Sequence, residues 1–131
     1  MSQPIVIRWP GGEHAMRLGL VEARVIQDRT NCGPEYLRAR IAAGQWLVDD
    51  MPEVLRNGLI GGGMPAVDAL RLTQKAFEEN PPMLFKPAAY QLLSAFLLGP
   101  PDDPVGEPSP VNPTPAPNDQ TGSGSSAPTT G

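Results

Sequence analysis

Few residues in this chain carry side chains that could do chemistry, and their spacing assigns most of them to structure. His14, the only histidine, stands beside Glu13, a pair that could in principle pass a proton. Neighbours in a strand point to opposite faces, so His14 reads as a surface strand residue. Cys32 is the only cysteine. It has no histidine near it in sequence and reads as a small, half-buried side chain rather than a nucleophile. One cysteine also rules out a disulfide framework or a cysteine-rich zinc site. Asp49-Asp50 with Glu53 resembles a carboxylate pair, but acid–base or metal chemistry needs further ligands. A helix N-cap followed by an acidic first turn accounts for all three. Gly61-Gly62-Gly63 invites a phosphate-loop reading, which requires a preceding strand and a Lys-Ser/Thr after the glycines. Met64-Pro65 follows instead, so the triplet reads as a helix C-cap and flexible joint, the best hinge candidate in the chain. Arg17, Arg24, Arg29, Arg38 and Arg40 place half of the 10 basic residues within 24 positions. A helix-turn-helix reading would offer Glu35, Arg38, Arg40 and Gln45 of the second helix to base edges. Glu22, Asp28 and Glu35 are interleaved among the arginines, which favours a solvated helical face. No triad, metal cluster or cofactor fingerprint is present. The sequence predicts no catalytic, cofactor or metal residues, and no enzyme.

The elements that would position these residues are marked by their ends. Residues 4–20 read as a β-hairpin: Ile5, Val6, Ile7 and Trp9, the turn signal Pro10-Gly11-Gly12, then Ala15, Met16, Leu18 and Leu20. Two strands alone are marginal in water, so something must cover them. A first helix is expected over 21–31, with Val21, Val25 and Ile26, stopped at Asn31-Cys32-Gly33. Pro34 opens a second, reaching Gly44, with Leu37 and Ile41 as its stripe. Met51, Val54, Leu55 and Leu59 fall on one face of a third. The fourth, 65–79, presents Val67, Leu70 and Phe77, and Asn80-Pro81-Pro82 stops it. A last helix from Pro87 carries Ala89, Leu92, Leu93 and Phe96, and Gly99 ends it. The fold class is mainly α: a small bundle of about five short helices with an N-terminal hairpin. Such short helices depend on packing rather than on propensity.

Composition changes at residue 100. The 32 residues from Pro100 to Gly131 include 9 Pro, 4 Gly, 4 Ser and 4 Thr, and their apolar residues are two Val and two Ala. They cannot bury enough apolar surface to offset the entropy of ordering. They are expected to form a disordered acidic tail reaching on the order of 100 Å when extended at ~3.1 Å per residue. The tail's four acids account for the whole net charge of −4, since 14 − 4 leaves 10 acids against 10 bases in residues 1–99. A neutral domain lacks an electrostatic footprint for nucleic acid or an anionic membrane. No window approaches the ~20 apolar residues of a membrane span, and MSQPIVIRWP lacks the pattern of a signal peptide. A soluble protein with no nucleic-acid or membrane partner is expected.

The order of elements also resembles a known family. The Gly-rich hairpin turn leads to a short helix ending near Gly33, then Leu37, Arg40, Ile41, Gly44 and the stretch Trp46 to Asp50. Val54-Leu55, Gly58-Leu59, the glycine triplet and the helix Ala89-Tyr90-x-Leu92-Leu93-x-Ala95, closing on Leu98-Gly99, follow. This pattern, over roughly residues 10–99, is similar to the gene transfer agent family of tail proteins, which resemble the tail assembly chaperones of long-tailed bacteriophages. Ile26-Gln27-Asp28 departs from the family's usual Ile/Leu-Glu pair, and the 32-residue tail is not part of the pattern. The resemblance implies a non-enzymatic tail assembly chaperone in the host bacterial cytoplasm. It implies the tape-measure protein and the tail tube protein as partners, with self-association possible. An incoming amphipathic helix would then be held by Trp46, Tyr90, Leu93 and Leu97, while Gly61, Gly62 and Gly63 let the last two helices shift. Alternatives are a minor structural component of the particle or a small DNA-binding regulator.

Overall fold

The computed structural model describes residues 3–99; the tail expected over 100–131 lies outside the described residues. Strands β1 (Ile5–Trp9) and β2 (Gly12–Met16) form an antiparallel hairpin, with Ile7 opposite His14 and Trp9 opposite Gly12. Five helices follow: α1 (Leu20–Thr30), α2 (Pro34–Ala42), α3 (Asp50–Gly61), α4 (Ala66–Glu79) and α5 (Lys86–Leu98). A single 3-10 turn, Pro82–Phe85, runs directly into α5. The fold class is the one expected, mainly α with an N-terminal hairpin.

Helix α3 is the hub, in contact with α1, α2, α4, α5 and β2. Its predicted stripe is the centre of the core: Met51, Val54, Leu55 and Leu59 are all fully buried. Its C-terminal glycines explain how a hairpin reaches it. A side chain at Gly61 would run into the Arg17 carbonyl oxygen, one at Gly62 into the Ala15 carbonyl, and one at Gly58 into Leu92. The Arg17 N–H donates to the Gly58 carbonyl at 3.0 Å. Backbone therefore lies on backbone, and Gly61 and Gly62 have a packing reason to be glycine.

On the hairpin's inner face, Ile7, Trp9 and Met16 are buried, while Val6 and Arg8 face out. His14 is a strand residue as expected, but it does not lie fully at the surface. It shares the inner face, half-buried, and its Nδ1 accepts a hydrogen bond from Trp9 Nε1 at 2.9 Å. The Trp9 ring meets Phe85 edge-on, with centroids 6.0 Å apart, and Phe85 stacks on Phe77 at 3.6 Å. This line of rings ties the hairpin through the 3-10 turn to α4.

Several sequence expectations fail for one shared reason: a helix with two apolar faces does not declare which is inward. Leu20 begins α1 and is exposed rather than closing the hairpin, and Val21 is also exposed. Val67 and Leu70, the apolar residues read along the fourth helix, are 59% and 44% exposed. Helix α4 turns Ala69, Thr73 and Ala76 inward instead, because small side chains let it pack close to α3.

Candidate functional site

The large apolar side chains that α4 turns outward line an open groove of about 370 Å³. Leu70, Thr73, Gln74, Phe77 and Glu78 form the α4 wall, and Pro52, Glu53 and Arg56 of α3 face them. Trp46, Val48 and Asp49, from the loop before α3, close one side, and Pro82 borders the groove.

Asp50 fixes that loop. The carboxylate is 2% exposed. It receives Arg40 Nε at 3.0 Å and Arg40 Nη2 at 2.9 Å, a bidentate pair, and the Leu47 N–H at 2.7 Å. The Gln45 N–H donates to the Arg40 carbonyl and the Asp50 N–H to the Leu47 carbonyl. The loop is thus held on both sides of Trp46. The hydrogen bonds that Arg40 donates to Asp50 hold its guanidinium above its ordinary, already strongly basic, pKa. The capping role expected of Asp50 is therefore not what the side chain does. Asp49 occupies the cap position but makes no side-chain capping bond. Glu53 pairs with Arg56 at 2.8 Å and lies 3.8 Å from Arg29.

The groove's charges are unevenly matched. Glu53 and Arg56 satisfy each other, whereas Asp49 and Glu78 have no ion-pair or hydrogen-bond partner for their side chains among the described residues. At the floor, Thr73 is buried and its hydroxyl has no hydrogen-bond partner.

The residues expected to bind a partner do not gather in one place. Trp46 lines the groove. Tyr90 lies elsewhere, bordering a shallower hollow of about 460 Å³ with Ala42, Met83, Lys86 and Pro87. Its hydroxyl accepts from Arg38 Nη2 at 3.0 Å, and the guanidinium sits 4.9 Å from its ring centroid. Leu93 is only 1% exposed and packs in the core, where it presents nothing to a partner; Leu97 is half-buried near the end of α5. Sequence reasoning missed Val48 and Leu70 as surface residues. The available signal was the second stripe on α4, Ala69, Thr73 and Ala76, spaced i, i+4, i+7.

Of the four residues a recognition helix would offer, half-buried Arg40 is paired with Asp50 and Arg38 with Tyr90. Among the described residues no group of three or more His, Cys, Asp or Glu could hold a metal ion, and no helix is long and apolar enough to cross a membrane.

Residues 3–99 match the model of a family described as phage tail tube protein, GTA-gp10. No curated protein and no solved structure gives a significant match.

Proposed function

The chain belongs to that tail tube family, and within it we propose that this chain is a tail assembly chaperone. In this reading it works in the host bacterial cytoplasm while tails are built. Its helical domain holds segments of the tape-measure protein and recruits tail tube subunits to them. It performs no catalysis.

The observation that carries this reading is the outward apolar wall of α4. Folding leaves Leu70 and Val48 uncovered around a groove, and exposed apolar surface of this kind marks a docking site. A chaperone for apolar helices needs such a groove, open before the partner arrives. Trp46 is its aromatic anchor. Tyr90 and Leu97 are further candidate contacts, outside the groove. Of the glycine triplet, Gly63 retains the freedom a joint needs, with φ of 114° and no neighbour near its Cα hydrogens.

A second reading, favoured by the family's description, is a tube component that stays in the particle and self-associates there. Co-expression of the full chain with the tape-measure and tail tube proteins of its own gene cluster, followed by mass spectrometry of purified particles, separates the two. A chaperone gives a soluble complex and is scarce in finished particles. Abundant, stoichiometric presence in particles overturns the chaperone reading in favour of the tube.

A further inference from the structure

We propose that the groove between α3 and α4 receives one face of an amphipathic α-helix whose apolar stripe is flanked by lysine or arginine. This rests on the tail-assembly reading and gives its partner a chemistry.

The form of the occupant follows from the walls. Away from their ends, the N–H and C=O groups of α3 and α4 are used within those helices, and in the loop Leu47 N–H, Leu47 C=O and Gln45 N–H are already bonded. An extended segment buried here would find few backbone partners, whereas a helix brings its own bonds already made. Leu70 and Phe77 stand two turns apart on α4, ~10.5 Å along its axis. They match apolar anchors at i, i+3 or i+4, and i+7 on a helix laid beside them. The groove is open to solvent along one side rather than enclosed, so it admits side chains from one face of such a helix and leaves the other face outside.

The flanking charge follows from the rim. With Glu53 and Arg56 paired, the unmatched charges on the lining are Asp49 and Glu78, both negative and both exposed. Arg71 and Lys75 of α4 lie outside the lining. Rim charges govern choice of partner and approach more than final affinity, so they select basic residues at the margins of the apolar stripe.

The probe is a fluorescein-labelled 18-residue helical peptide of leucine and alanine with leucines at i, i+3, i+4 and i+7 and flanking lysines. A glutamate-flanked counterpart and a lysine-flanked version broken by two central prolines serve as comparisons. Anisotropy titrations with the full chain should give about ten-fold tighter binding for the lysine helix than for the glutamate helix at low salt. That gap should narrow as salt screens the rim. Leu70→Asp should weaken binding at least ten-fold, and D49K/E78K should reverse the charge preference. All three positions are exposed, and circular dichroism checks that the variants remain folded. Equal binding of the two charged helices at low salt, no effect of Leu70→Asp, or equal binding of the proline-broken peptide would each overturn the proposal. If the tape-measure protein co-purifies equally with Leu70→Asp, the groove assignment fails while the chaperone reading stands. If the peptide results hold but no tail protein associates, the groove assignment stands and the chaperone reading falls.

Discussion

Asp50 is the residue whose surroundings the sequence disguised most. In the chain it is one of two consecutive aspartates before a helix, where capping is the ordinary reason for a carboxylate. In the fold, Asp50 is buried against an arginine ten residues earlier, and local spacing carries no trace of that pairing. Removing Asp50 takes away three hydrogen bonds and leaves the half-buried Arg40 without its partner. Asp50→Ala should therefore cost about 1.5–3 kcal/mol, measured by urea denaturation. It should also free the Trp46 loop, seen as a red shift in tryptophan emission before unfolding. Thr73 predicts the opposite sign. Its buried hydroxyl has no partner, and an unsatisfied buried group costs about 1–3 kcal/mol. Thr73→Val keeps the shape and should raise the thermal midpoint.

Elements were readable from sequence where only one face was apolar. Helix α3 presents a single stripe, and all four of its stripe residues are buried as expected. Helix α4 carries two stripes, one of small residues and one of large, and hydrophobicity alone favours the large one. The core took Ala69, Thr73 and Ala76, because close approach to α3 was worth more there than bulk. The glycines of α3 misled in a related way. Read along the chain they promise a joint, but flexibility and close approach demand the same residue, and only the neighbouring strand tells them apart. Gly61→Ala should push Arg17 and the end of β2 away from α3. Overpacking of this kind typically costs about 1–3 kcal/mol. Gly33→Ser, at the N-cap of α2 with no neighbour near, should be neutral or mildly stabilising. Equal thermal midpoints for the two variants would remove the packing argument for Gly61.

At the scale of the whole molecule, the described residues 3–99 contain a complete buried core running from Ile7 to Leu93. Deleting 100–131 should therefore leave a single cooperative thermal transition; its loss would place part of the fold's support in the deleted segment. Composition is the ground for that expectation, since no large apolar side chain follows Leu98. The arrangement of the core was not legible there, because its contacts join residues far apart in sequence. The seat of the hairpin on α3 then sets an order of events during synthesis. The hairpin leaves the ribosome before α3, and the carbonyl that receives Arg17 belongs to Gly58, 41 residues later. At about 5–20 residues per second, the wait is on the order of a few seconds. For that interval Ile7, Trp9 and Met16 have nothing to pack against, and a lone hairpin is marginal in water. The hairpin must stay unfinished until α3 has been translated.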